Sequence, residues 1–510
     1  MGSVGDASEV KEPPRYSGRG TVRDPYIVVW DMHDAENPYE WRTLRKAVIT
    51  AVLAFGTWSV SFASSAYTGG IEPMRDALGA SETVALLGVS LYVLGFGTGP
   101  LVWASMSEAF GRRRVFLATA FVHVFMHIGG ALGKNMTAVL VTRFLAGAFG
   151  ASPLTNAGGS IADMFTPKER GVASTIYSTA PYLGPVIGPI VGGYISETNV
   201  GAIPGWRFTF WLMFIIAALN WVLFYLLVPE TYAPTLLQRR ARKLQKASEG
   251  KEHYVSVYDR TRNRSLKHVL QVNLTRPFRF LATEPIVIFT AVFMSLTYAT
   301  LYAQFAAYPI VFSQHRGFGP GTTGLAFLGI GVGVLIGVGA SPIQNAMYRR
   351  AMKKSVSGHA PPEARLYASM VGGVFFAVGQ FWFAWTADPP VHWIVPILGS
   401  VPVGIGLALI LQSLTQYMMD AYALYFASAL ASAVVLRSLL ACAFPLIAPP
   451  MFNRLGDAWA VSVFAFLAAA CAPVPFVFFM HGRRLREKSK FAWKDLEDVR
   501  SESTVVADKM

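Results

Sequence analysis

The sequence predicts an all-α membrane protein of twelve transmembrane helices arranged as two pseudo-symmetric six-helix halves. Three observations carry that prediction. Of the 510 residues, 53% are hydrophobic and only 15% are charged, against roughly 25% charge in a soluble domain. The deficit collects into apolar blocks of about 20 residues, the length at which a helix crosses a bilayer. Those blocks fall in two sets of six, parted by a long polar segment.

Residues 1–45 are polar and proline-bearing ("KEPPRYSGRGTVRDP"). They lack a short apolar core followed by a small-residue cleavage site, so no signal peptide is expected and the first span is its own insertion signal. The N-terminal half, residues 46–230, holds spans near 47–67, 83–104, 115–133, 138–159, 172–195 and 208–228. A basic linker covers 231–284. The C-terminal half, residues 285–481, holds spans near 286–312, 322–344, 366–386, 391–413, 425–450 and 458–480, and 482–510 form a tail.

Loops after even-numbered spans carry "FGRRR", "TPKER", the run from Arg239 to Lys267, "YRRAMKK" and "HGRRLREKSK". Those after odd-numbered spans ("GKNM", "SETNVGAIPGW", "TADPPVH") are nearly free of Lys and Arg. By the positive-inside rule both termini and the linker are cytoplasmic, although the loop "TQYMMDAY" has no basic residue. The plasma membrane is the expected location. The net charge of +14 therefore orients the chain in its lipid bilayer and does not point to nucleic acid. The dozen or so Lys and Arg between Gln238 and Arg279 favour the anionic cytoplasmic leaflet.

Cys442 and Cys471, the two cysteines, both lie in apolar blocks, too few for a disulfide framework or metal cluster. No His, Asp, Ser or Cys constellation suggests a membrane enzyme. Paired six-span repeats around a central path favour a transporter over a channel or sensor, working as a monomer on a small-molecule substrate with no cofactor.

The stretch "YLGPVIGPIVGGY", Tyr182 to Tyr194, has four glycines and two prolines, which would cost a soluble helix about 10 kcal/mol. Gly184, Gly188 and Gly192 recur every four residues and form a smooth stripe beside Pro185 and Pro189, with Gly193 adjoining. In lipid such stripes let another backbone approach closely. Gly329, Gly333 and Gly337 form a second stripe on span eight. Spans five and eight are expected to cross along these stripes, as a hinge between the halves.

"GPVIGPIVGG" looks like the antiporter motif on the fifth span of major facilitator drug exporters. "ASMSEAFGRRR" resembles that superfamily's loop motif, with Glu108 where aspartate is usual and Ala104 where glycine is usual. "RFLAGAFGASPLTNAGGSIADMF" resembles its fourth-span motif. With "VPETYAPTLL", "LYAQFAAYPIVF" and "YMMDAYALYFASALASAVVLRSLLACAFPL", the resemblance over about residues 40–490 is to the fungal drug/proton antiporter family with twelve spans, which includes polyamine and cycloheximide-type multidrug exporters. It implies a major facilitator fold, alternating access, and efflux driven by a proton gradient. The alternatives are a polyamine or organic-acid transporter, an importer, or a non-transporting sensor.

Charges within a membrane are costly unless paired or hydrated, which singles out Arg143 on span four and Arg437 on span eleven. The resemblance links Arg143 to proton coupling, and Arg437 is taken with it as a coupling or gating residue; the plainer reading has Arg143 bonded to carbonyls at a helix break. No Asp or Glu lies mid-span, since Glu108, Asp163, Glu284 and Asp420 all fall near cytoplasmic ends. His123 and His127 share one helical face, as titrating groups or as a polar patch. Glu108, Arg112 and Asp163 are expected to form a cytoplasmic charge latch. A substrate cavity is expected to draw on Trp58, Asn156, Tyr298, Tyr302, Gln304, Gln412 and Gln416, while Tyr67 and Tyr417 sit at span ends, where aromatics usually form an interface belt. The lack of mid-span carboxylates disfavours polyamines and favours neutral, anionic or amphipathic cargo.

Overall fold

The computed structural model describes residues 16–166, 169–259, 266–354, 360–422, 425–489 and 491–492. Among these, ten helices are long and apolar enough to cross a membrane. The last, Phe426–Lys488, is two spans broken at Gly456, whose φ of 75° reverses the chain. The proline-bearing helix Arg170–Ser196 is one more, bringing the spans to twelve. Most of the C-terminal tail and the start of the N-terminal tail lie outside the described residues.

Local chemistry sets the ends. Span one (Thr43–Ala66) passes into a tight turn, Tyr67–Gly70, and a short helix closed by Gly79 in the left-handed region at φ 62°. Ser81 caps span two (Glu82–Phe110) by accepting from the Val84 N–H at 3.4 Å. Span three is Arg112–Leu132. Asn135 caps span four (Met136–Met164) through the Ala138 N–H at 2.9 Å, supplying an acceptor to an orphan helix donor. Span six is Gly205–Leu227, seven Pro285–Tyr308, nine Tyr367–Thr386 and ten Ile394–Ala421. Span eight is built from Pro320–Leu325, Leu328–Gly339 and Ser341–Lys354.

The two halves repeat one packing plan. Span one packs on five, two on four, and three on four and six; seven packs on eleven, eight on ten, and nine on ten and on the final helical stretch. Between halves, five meets eight and two meets eleven, whereas four and ten make at most marginal contact among the described residues.

The glycine stripes do not face each other. Cβ atoms on Gly184, Gly188 and Gly192 would run into Ser61, Ser65 and Ala66 of span one, and those on Gly329, Gly333 and Gly337 into Ile397, Val401 and Ala408 of span ten. Each stripe thus seals a pair within its own half, because i, i+4 spacing marks close approach without naming the neighbour. Pro185 sits beside the stripe within that same packed helix. Spans five and eight do touch, but off the stripes: Gly193 lies on Pro320 and Gly321, Gly324 on Pro189 and Ile190, and Gly331 on Val186. A Glu197 carboxylate oxygen accepts from the Gly321 N–H at 2.8 Å. All this lies toward the end opposite the basic loops, so the halves are closed there.

The basic end carries a feature absent from the sequence reading. Tyr26–Val28 pairs in parallel with Tyr254–Ser256 of the linker, above the helix Ala233–Ala247. Tyr16, Val28, Leu237 and Ala241 form a small core of their own. Arg240 of that helix pairs with Asp34 and lies 3.7 Å from Glu36 and 3.9 Å from Asp31. Burial pushes the Asp34 carboxyl up, but the bond and charge of Arg240 and the Glu36 amide outweigh it and hold it below the usual carboxylate range.

Candidate transport site and gates

Arg143 is 1% exposed. All its nitrogens are used: Nε donates to Gly88 O at 3.0 Å, and the two terminal nitrogens donate to Ala63 O at 2.6 Å and Ser64 O at 2.9 Å. Tyr92 and Tyr67 sandwich the guanidinium, with ring centroids 4.1 and 4.6 Å away. The carbonyls at the end of span one are available because its α-helix stops at Ala66, leaving its last acceptors without intrahelical donors. The charge is thus satisfied by backbone dipoles, as the plainer reading of Arg143 expected.

Ser64 connects this arginine to the other half. Its hydroxyl is 3.0 Å from the Tyr302 hydroxyl, which lies 3.3 Å from that of Tyr298. Tyr298 and Tyr302 share a face of span seven, and the Arg437 guanidinium sits 4.5 Å from the Tyr298 centroid. Gln304, 3% exposed, has a carbonyl oxygen without a partner. Trp58 stacks between Phe55 and Phe62 at 5.6 and 5.2 Å and stays partly exposed. The Ser64–Tyr302–Tyr298 line bridges spans one and seven.

At the basic end, Arg112 Nε donates to Asp163 at 2.6 Å and a terminal nitrogen to the Ser107 hydroxyl at 3.4 Å, with Glu108 within electrostatic reach. The expected set is therefore together, and it is joined by a residue the sequence reading passed over. Glu230 accepts from the backbone N–H groups of Arg112, Thr231 and Tyr232. The second half repeats the latch: Arg365 Nε donates to Asp420 at 2.8 Å, and Arg486 forms a two-pronged pair with Glu363 at 2.9 and 3.1 Å. The counterpart of Arg112 in the second half is Arg365 at the start of span nine, outside the basic loop "YRRAMKK". A lone arginine before an apolar block, with an aspartate ending the next span, was the available signal.

A model of the Major Facilitator Superfamily matches residues 53–445. The chain belongs to the major facilitator superfamily. It is 45% identical to the "MFS-type efflux pump MFS2" of Trichophyton rubrum over 94% of this chain and 79% of that protein. It is also 45% identical to the "Major facilitator superfamily multidrug transporter mdrA" of Aspergillus fumigatus, over 94% and 78%. Among solved structures, the xylose transporter XylE from E. coli in an inward open conformation aligns with TM-score 0.61 and 17% identity, over 85% of this chain and 96% of that one, a likeness of fold. This is a multi-pass membrane transporter.

Within this transporter several expected cavity residues turn out to be braces. Asn156, 1% exposed, accepts from the Ser107 hydroxyl at 2.9 Å and donates to Ser152 and Trp103, tying span four to span two. Gln412 accepts from Ser341 at 3.0 Å, and Gln416 accepts from Arg365 at 3.3 Å as part of the second latch. Tyr67 donates to Ala85 O at 2.7 Å and walls Arg143, while Tyr417 is fully buried against Phe478. Periodicity puts such groups on a polar face without saying whether that face meets the path or a neighbouring helix. His123 and His127 are a buried contact between spans three and four: Nδ1 of His123 is 2.9 Å from Ala146 O and the two Nε2 atoms are 3.3 Å apart.

Proposed function

We propose that this transporter exports a small organic molecule, a drug, toxin or secondary metabolite, by alternating access coupled to inward proton movement. The observation that carries the direction is the 45% identity, over nearly the whole chain, to proteins named as an efflux pump and a multidrug transporter. The geometry supports the access cycle. Spans one, five, seven and eight hold the end opposite the basic loops shut, while spans four and ten make at most marginal contact among the described residues, so cargo enters from the basic end. By the positive-inside rule that end is cytoplasmic, with both termini there.

Residues 46–230 and 285–481 are the bodies that rock, with 1–45, 231–284 and 482–510 as cytoplasmic additions. Arg112–Asp163 and Arg365–Asp420 each pin a span end on the cytoplasmic side, and protonation of either aspartate would bias the two-state equilibrium. Arg143 holds the top of span one to span two; Ser64 carries its position to span seven. The working unit is a monomer in the plasma membrane, with the proton gradient in place of any cofactor.

The test is purified protein in liposomes with an imposed pH gradient, screened with fluorescent drugs, spermine and organic acids. The expected result is movement that collapses on adding a protonophore. Movement indifferent to the gradient makes the protein a facilitator, and binding without any movement makes it a sensor.

A further inference from the structure

Basic side chains at membrane depth or buried at a span end need partners, and among the described residues several have them. Arg143 has three carbonyls; Arg112, Arg365 and Arg486 have carboxylates. Arg316 donates to the carbonyls of Val391 and Ala387. Arg437 differs. Eleven residues into its helix, about 17 Å from the basic end at 1.5 Å per residue, it donates no hydrogen bond among the described residues, and its Nε is buried without an acceptor. Its close contact is the Tyr298 ring at 4.5 Å. Tyr177 and Tyr182 of span five, in the other half, are within electrostatic reach. No carboxylate exists mid-span anywhere in the sequence to meet it.

We infer that Arg437 is the anchor for a carboxylate on the cargo, and that the exported molecules are aromatic or amphipathic organic acids; this rests on the export reading above. A planar guanidinium engages a carboxylate through two parallel hydrogen bonds. The rings of Tyr298, Tyr177 and Tyr182 supply an aromatic surround for a flat apolar body, as small-molecule sites usually do. Arg437 is partly exposed, and it lies on the basic side of the Ser64–Tyr302–Tyr298 line. A carboxylate arriving from that side draws the guanidinium away from the Tyr298 ring, and Tyr298 is the last member of the line that closes the opposite end. Loading and opening thereby share one tyrosine.

The probes are 1-naphthoate and its uncharged match 1-naphthamide, with rhodamine 6G as a cationic reference. Thermal-shift binding and liposome flux are measured on the full-length protein. For wild type, naphthoate is expected to bind and move at least tenfold better than the amide. Arg437→Gln should lose that preference, with naphthoate falling to the level of the amide in the same variant, and Arg437→Lys should raise the naphthoate KM several-fold at unchanged melting temperature. Because Arg437→Gln can fail to fold, the lysine variant is the second readout. Equal naphthoate binding and flux in wild type and both variants overturns the inference, as does a uniform loss for acid, amide and rhodamine 6G in the folded lysine variant. Rhodamine 6G efflux with no Arg437-dependent acid preference leaves the export reading standing and removes this one. Arg437-dependent naphthoate binding without flux of any probe does the reverse.

Discussion

Arg143 aims three guanidinium nitrogens at three carbonyls from two helices, a fork that the single ammonium of lysine cannot reproduce. Arg143→Ala is expected to keep substrate exchange across liposomes but to cut accumulation driven by a pH gradient at least tenfold, with Arg143→Lys close behind. Unchanged gradient-driven accumulation would remove Arg143 from coupling. Tyr302→Phe deletes the hydroxyl between Ser64 and Tyr298, a loss of about 1 kcal/mol for a hydrogen bond, or roughly a fivefold population shift toward separation at that end. Spin labels at Asn199, in the loop after span five, and Gln314, at the end of the helical segment that continues span seven, would report it as a longer distance; an unaltered distribution counts against the line as a gate. Arg143 and Arg437 could be singled out because a charge in an apolar block stands out. Their partners could not, since carbonyls of Ala63, Ser64 and Gly88 leave no trace in side-chain identity.

At the level of helices, glycine spacing announced tight crossings, and the structure supplies both, one in each half. What the spacing could not tell was direction around the helix axis, which depends on neighbours distant in sequence. The difference has measurable results. Gly188→Leu and Gly333→Leu push a branched side chain into the spans packed within one half, so both should lower the melting temperature and the yield. Gly324→Leu first meets the other half, whose Pro189 and Ile190 hold the atoms nearest its Cβ. It should melt near wild type yet lose most transport; a melting loss as large as that of Gly188→Leu would contradict the assignment. The latches show a related limit. Arg112 and Asp163 were legible through the loop and fourth-span patterns that hold them, whereas Asp420 lies in a stretch that carries the resemblance but Arg365 lies in none, so the pairing of the two was not marked. Arg365→Ala should lower transport about as much as Arg112→Ala, on the order of tenfold, in a side-by-side flux assay.

For the whole molecule, the count of spans and the six-plus-six arrangement were readable from block length and polarity, because lipid imposes both. The tail–linker sheet was not: three-residue strands carry no periodic signal, and their pairing spans more than two hundred residues. Its chief charge contact has a definite pH sign. Asp34 titrates below its usual value, so the pair with Arg240 contributes fully above the ordinary carboxylate pKa of about 3.9 and is lost as pH falls through the lower folded value. Protease protection of the N-terminal tail should accordingly persist from neutral pH to about pH 4 and fail below it. In Arg240→Ala it should be weakened already at pH 7.

That sheet also decides how much rope joins the two halves. Helix Ala233–Ala247 is bound to the first half, with Arg239 3.6 Å from Glu230 and Thr235 against Gly111. The helix Leu266–Thr283 belongs chiefly to the second half, where Phe280 packs on Tyr422 and Pro277 accepts from Ser432. A connection of about fifty residues on paper is thus largely committed to one half or the other, leaving residues 260–265 of the sequence between Asp259 and Leu266. A chain severed there and supplied as two co-expressed pieces should reassemble, whereas a cut inside Ala233–Ala247 would strip the first body of its own scaffold.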